Sequence, residues 1–258
     1  MASSKREREL ARMRAERQAA RRAAAEARRR RQRNAVLSAL AAVAVVAVVV
    51  VAVLVTRGGS AKSTNTLAAA TPTPTAPSGC AYKKSGAAAK PVTGLPPTGG
   101  ARRAVTATLT ANRGVIGLSL NSAKAPCTVG SFAFLAEQKY FDGTSCHRLT
   151  TKGIFVLQCG DPTGTGSGGP GYSFADENLT GATYKAGTVA MANGGPGTNG
   201  SQFFLVYKDT QLPPSYTPFG TITKGLDVIV KVAAGGANSP KGDGKPKLPV
   251  TISKVTVA

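Results

Sequence analysis

Met191-Ala-Asn-Gly-Gly-Pro-Gly-Thr-Asn-Gly-Ser-Gln-Phe-Phe204 gathers two asparagines, a glutamine and two aromatic rings into one short stretch. Its glycines make tight turns around Asn193 and Asn199, and Ser201-Gln202 leads into an apolar strand start. Amide side chains beside aromatic rings on a rigid surface can hold an extended peptide by its backbone while an apolar pocket takes a side chain. That is recognition chemistry, with no bond-breaking group in the stretch itself.

Hydrolytic, metal and phosphate chemistry find no support elsewhere. There is a single histidine, His147, and no Gly-x-Ser-x-Gly elbow for a serine relay. No cluster of His, Cys or carboxylates has metal-ligand spacing, and no Cys-x-x-Cys is present. The run Gly164-Thr-Gly-Ser-Gly-Gly-Pro-Gly171 lacks the lysine of a phosphate loop and reads as a surface loop. No metal and no cofactor are expected.

Short strands must position the recognition surface. Val105–Leu109 and Val115–Leu120 flank Asn112-Arg113-Gly114, a hairpin signal. Pro126 before Thr128–Gln138 marks a helix with proline in its first turn. Strands are expected at 147–150, 154–158, 188–192, 203–207 and 219–223, a second helix at 226–233, and a closing strand at 250–257. Many short strands with two helices imply a closed antiparallel barrel. Alternation puts Phe203 in the core, opposite Phe204, and Phe141, Phe174 and Phe219 are expected there too. His147 is expected to be a satisfied barrel residue.

The N-terminal part differs in kind. The formal charge of +21 is uneven: residues 1–34 hold 13 Lys/Arg against 4 Asp/Glu, and residues 103–258 hold 14 against 8. The excess therefore describes the appendage more than the globular part, and no nucleic-acid partner is expected. Residues 1–34 read as a basic cytoplasmic helical segment. Ala35–Val55 is a charge-free apolar run long enough to span a bilayer, so 35–56 reads as a transmembrane signal-anchor helix. The basic block before it orients the N-terminus to the cytoplasm and the following domain outside. A cleaved signal peptide is the alternative, but the run is longer than a usual h-region. Residues 57–102, rich in Ala, Thr, Pro and Gly, read as a disordered linker, and 103–258 as the folded domain. Cys80, Cys127, Cys146 and Cys159 could form two disulfides outside the membrane, and their spacing leaves all three pairings open.

Phe141-Asp-Gly-Thr-Ser-Cys-His147-Arg148-Leu149, Phe155-Val-Leu-Gln158-Cys-Gly-Asp161, Phe174-Ala-Asp-Glu-Asn178 and the 191–204 stretch together resemble the cyclophilin-type peptidyl-prolyl cis–trans isomerases, in order from about Val105 to the end. The basic helix, anchor and linker resemble the extracytoplasmic actinobacterial members. The resemblance implies a mainly-β fold, an eight-stranded antiparallel barrel capped by two helices, with a peptide groove on one outer face. It implies Arg148 as the catalytic arginine, and Phe155, Val156, Phe204 and Leu212 as the proline pocket. Gln158, Ala192, Asn193, Gly194 and Gln202 would hold the substrate backbone, with Tyr216 a further substrate-binding residue. The implied partners are proline-containing polypeptides, and the catalytic domain is expected to act as a monomer. Two extra residues separate Arg148 from Phe155, Val156 replaces a methionine, Gln211 a tryptophan and Tyr216 a histidine. A module that binds proline segments with little turnover is the competing reading.

Overall fold

The computed structural model describes residues 79–258. The expected basic segment, the expected anchor and the first part of the expected linker lie outside the described residues. Among the described residues no helix is long and apolar enough to cross a membrane.

In chain order the elements are β1 (Tyr82–Lys84), β2 (Val105–Ala111), β3 (Gly114–Leu120), α1 (Pro126–Glu137), β4 (Thr144–Ser145), β5 (Arg148–Thr150) and β6 (Val156–Cys159). They continue with β7 (Tyr172–Phe174), β8 (Thr188–Met191), β9 (Phe203–Val206), β10 (Pro218–Lys224), α2 (Leu226–Ala234), β11 (Asp243–Gly244) and β12 (Thr251–Val257). Ten strands form one curled antiparallel sheet in the order β11-β5-β6-β9-β8-β10-β3-β2-β12-β4. The eight expected strands are all in it. The added two, β4 and β11, have two residues each and carry no periodicity to read. The barrel is not closed by hydrogen bonds, because β4 and β11 stand at opposite ends of the order. The Cys146–Cys159 disulfide ties the segment after β4 to the end of β6.

Alternation fills the curl. Leu149, Leu157, Leu205 and Val189 point inward and are fully buried. Phe132 of α1 meets Phe141, Phe203 and Phe219 at 5.0, 5.5 and 5.7 Å between ring centroids, so the helix plugs the core with an aromatic cluster. α1 has no side-chain cap of its own. Glu177 supplies one from a distant loop, its carboxylate accepting the Cys127 and Thr128 amides at 3.0 and 2.7 Å.

The linker expectation fails for 79–102. Cys80 is disulfide-bonded to Cys127 at the start of α1, and β1 pairs with β7 from Tyr82↔Phe174 to Lys84↔Tyr172. Lys90 Nζ then donates to the carbonyls of Lys139 and Asp142 beyond the other end of α1. The segment is a strap along the helix. Its small and polar composition looked too poor in apolar area to order itself, but a covalent tie, a strand pairing and the Tyr82 ring against Tyr172 and Phe174 supply what composition does not.

The two disulfides close loops of different length, with separations of 47 and 13 residues. Loop-closure entropy then assigns about 4 kcal/mol to the first and about 3 kcal/mol to the second. Replacing Cys80 and Cys127 together by alanine is expected to lower denaturant stability more than the Cys146/Cys159 pair. Only the former should open 79–100 to limited proteolysis. Equal losses with equal protection would refute the strap.

Candidate active site

Register assembles the site before any side chain is considered. Arg148 lies opposite Gln158, Gln158 opposite Phe204, and Phe204 opposite Ala190, across β5, β6, β9 and β8. This row faces outward, one residue out of phase with the buried leucines. The sheet that hides the core thus presents a cation, an amide and a ring side by side.

These residues border a pocket of about 140 Å³, with Val156, Phe204, Leu212 and Ile154 as its apolar lining and Arg148, Gln158, Ala192, Asn193 and Tyr216 around them. Phe204 packs edge-on to Tyr216 at 5.7 Å between centroids. Tyr184, behind it, donates its hydroxyl to the Tyr216 carbonyl at 2.7 Å. A second space of about 440 Å³ adjoins through Gln158, Ala192 and Asn193. It is lined by Gly194, Gln202, the 166–171 loop and, from the strap, Ser85 and Ala87.

Phe155 is not in the pocket. Ile154, in the bend before β6, lines the pocket with Val156 and Gln158, whereas Phe155 does not. Its ring packs edge-on against Tyr207 at 6.0 Å, with Lys208 Nζ 4.6 Å from its centroid. Ile154 lines the pocket where the family motif implies the phenylalanine, and no sequence signal marked the exchange. The other expected site residues border one or both spaces.

Arg148 donates Nε–H and Nη2–H to the two oxygens of Asp243, both at 2.8 Å. Its Nη1 donates to Gln158 Oε1 at 3.2 Å. Gln158 Nε2 donates to Gln202 Oε1 at 2.9 Å, and Gln202 Nε2 to the carbonyls of Gly166 and Gly168. A chain of amides therefore runs from the guanidinium to the glycine loop. Hydrogen bonds from Arg148, foremost among the causes, hold the Asp243 carboxyl below the usual range, and the same contact raises the arginine. Sequence reading gave no hint of Asp243, which lies 95 positions away.

The asparagines of the 191–204 stretch serve the scaffold with their side chains. Asn193 Nδ2 donates to the Ser215 carbonyl and to Asp176, and Asn199 Nδ2 donates to the same Asp176 oxygen. Asp176 also accepts the Gly197 amide at 2.8 Å. What Asn193 leaves open is its backbone: among the described residues neither its N–H nor its C=O has a partner. An extended peptide can pair there as with a strand edge.

Asp161 organises the glycine loop, accepting the Thr163 hydroxyl and the amides of Thr163, Thr165 and Gly166. Burial alone would push this carboxyl up, but these hydrogen bonds hold it at about 2. His147 is buried, and among the described residues neither ring nitrogen has a hydrogen-bond partner, contrary to the expectation of a satisfied residue. Burial first, with Arg148 adding, lowers its pKa, which keeps the imidazole neutral. Among the described residues no group of His, Cys or carboxylates could hold a metal ion.

Comparison with known proteins agrees with this geometry. Residues 106–257 match the family model described as cyclophilin type peptidyl-prolyl cis-trans isomerase/CLD, more than half of the chain. The probable peptidyl-prolyl cis-trans isomerase B of Mycobacterium leprae is 51% identical over 195 residues, covering 68% of this chain and 65% of that protein. Its Mycobacterium tuberculosis counterpart is 49% identical, with 68% and 63% covered, so the chain spans just under two thirds of both relatives. A crystal structure of a Cryptosporidium parvum cyclophilin type isomerase matches with a TM-score of 0.54 at 29% identity, over 60% of this chain and 98% of that one. The chain belongs to the cyclophilin-type peptidyl-prolyl cis–trans isomerase family.

Because the folded pKa of Asp161 lies below its ordinary value, its contribution to stability is complete above about pH 4 and lost as pH falls toward 2. Asp161→Asn is expected to flatten the stability–pH curve over that window. Curves of identical slope for the two proteins would show that the carboxylate does not organise the loop.

Proposed function

We propose that this chain accelerates cis–trans exchange of X-Pro peptide bonds in polypeptides, with Arg148 stabilising the twisted amide. The observation that carries the reading is a cation beside a proline-sized apolar pocket, with an open backbone edge at Asn193 next to it. The names of the mycobacterial relatives and the family membership support it. So does a second Cryptosporidium parvum structure, obtained in the presence of the dipeptide Ala-Pro.

The planar X-Pro amide resists rotation because its C–N bond is partly double, with a barrier of about 18–20 kcal/mol. Twisting breaks the resonance and returns a lone pair to the prolyl nitrogen. A guanidinium N–H directed at that nitrogen stabilises the twisted state more than either planar state, which is what lowers a barrier. Val156, Phe204, Leu212 and Ile154 hold the proline ring, and the Asn193 backbone and Gln202 hold the chain beside it. Rotation then occurs about a bond clamped on both sides, with no proton transfer and no covalent intermediate.

We place this activity outside the cytoplasm, in a single-pass anchored protein of the extracytoplasmic actinobacterial type, acting as a monomer on exported or cell-envelope proteins. The support is the charge-free run 35–55 behind a basic block, and two disulfides of the kind that persist in oxidising compartments. One observation favours the alternative of a binding module with little turnover, namely that the Arg148 charge is already paired with Asp243.

Exchange of a short X-Pro peptide, followed by NMR with the full-length chain in detergent, separates the two. Arg148→Ala is expected to slow the catalysed rate about 100-fold with peptide affinity retained. Saturable peptide binding without acceleration in the unaltered chain would select the binding module. Arg148 is raised and Asp243 and His147 are lowered, each moved away from neutrality. The catalysed rate is therefore expected to be flat from about pH 7 to 9, and a bell-shaped profile there would indicate general acid–base chemistry.

A further inference from the structure

We infer that Asp243 is a positioning residue for Arg148, delivered to it by the lengthened turn between β5 and β6. The inference rests on the isomerase reading above. The two carboxylate oxygens take Nε–H and Nη2–H at 2.8 Å each, the planar fork that fixes both the place and the tilt of a guanidinium. Asp243 occupies one edge of the guanidinium and does not line the proline pocket, whereas Arg148 does. The Nη1 side, which donates to Gln158 Oε1, is left for the bond being twisted.

Two features that look unrelated in sequence are parts of one device. The turn after Arg148 is two residues longer than the family motif, and it is where the 239–244 loop docks. Thr151 donates its amide and hydroxyl to the Gly242 carbonyl at 2.7 and 3.2 Å, and Lys152 Nζ reaches the Pro240 carbonyl. β11 then pairs with β5, Asp243 opposite Thr150 and Gly244 opposite Leu149, which brings the carboxylate beside the guanidinium. Gly242 sits at a φ of 73°, and a Cβ there would lie 2.7 Å from Thr151 Oγ1, so the approach needs glycine. The longer turn makes the dock, and the dock delivers the carboxylate.

A carboxylate on the catalytic cation has two opposed effects. It reduces the positive field at the prolyl nitrogen, and it stops a long side chain from sampling orientations that miss that nitrogen. Arg148 and Asp243 are 39% and 49% exposed, so water screens the field. A hydrogen bond to the nitrogen depends on direction at short range and is not screened in that way. Orientation is the larger effect, and the pair assists the reaction.

The test is the same peptide exchange by NMR on the full-length chain, with Asp243→Ala, Asp243→Asn and Asp243→Glu. Asp243→Ala is expected to lower kcat about tenfold with KM within about twofold. Asp243→Asn, which keeps the size of the side chain, covers the case in which the alanine variant fails to fold and should lose several-fold. Asp243→Glu should regain most of the rate. Arg148→Ala with Asp243→Ala should be no slower than Arg148→Ala alone. Without substrate, the Arg148 Nε–H resonance should lose protection from solvent exchange in Asp243→Ala. A kcat unchanged or raised in folded Asp243→Ala and Asp243→Asn, or an unaltered Nε–H resonance, overturns the positioning role while the isomerase reading stands. No acceleration by the unaltered chain overturns the isomerase reading, and this inference with it.

Discussion

The two-residue alternation of β5, β6, β9 and β8 is the constraint on which the rest depends. One phase buries Leu149, Leu157, Leu205 and Val189 in the core. The other phase lays Arg148, Gln158, Phe204 and Ala190 across the outer face at fixed spacing. A one-residue slip of any of these strands would exchange its core residue and its groove residue between the two faces. The apolar core therefore enforces the register of the groove, and burial that has nothing to do with peptides determines where the guanidinium stands.

Around that row, carboxylates hold the loops. The folded part has few acidic residues, and four of them do the same job near the groove. Asp161 gathers the glycine loop, Asp176 ties the two asparagines to the Gly197 amide, Glu177 caps α1, and Asp243 grips Arg148. Each accepts from two or more donors, at least one of them backbone or guanidinium. For Asp161 and Asp243 the donors favour the ionised carboxylate and remove it from acid–base duty. The site works by fixed geometry, and its acids supply the fixing.

What could be read from the sequence follows from these two layers. Eight strands of the large sheet and both helices were legible within about two residues from apolar runs, turn residues and the proline opening α1, as was the placement of Phe141, Phe174, Phe203 and Phe219 in the core. The strap was not, because its order comes from a disulfide and a pairing with β7 that composition cannot show. Motif order named Arg148, Gln158, Phe204 and Leu212, which line one pocket, together with Phe155, which does not line it. The motif preserves residue type, whereas the bend before β6 turns Ile154 to the pocket and Phe155 toward Tyr207. Asp243 had no legible signal at all, since a contact between residues 95 apart depends on where two loops meet.

The size of the task shows why so little chemistry suffices. Uncatalysed X-Pro exchange takes tens to hundreds of seconds, and the barrier lies in amide resonance alone. A charge-assisted hydrogen bond contributes about 1.5–3 kcal/mol, so in the proposed reaction one well-aimed Nη1–H would accelerate rotation by roughly 10- to 100-fold. Any further gain comes from holding the ring and the flanking backbone so that little motion remains except the twist. The order of contacts from Asp243 through Arg148, Gln158 and Gln202 to the glycine loop fits that division, because it immobilises the donor and the backbone-holding amide in one network. Aim and clamp are then a single structural property, and loosening either end of the network should reach the other through Gln158.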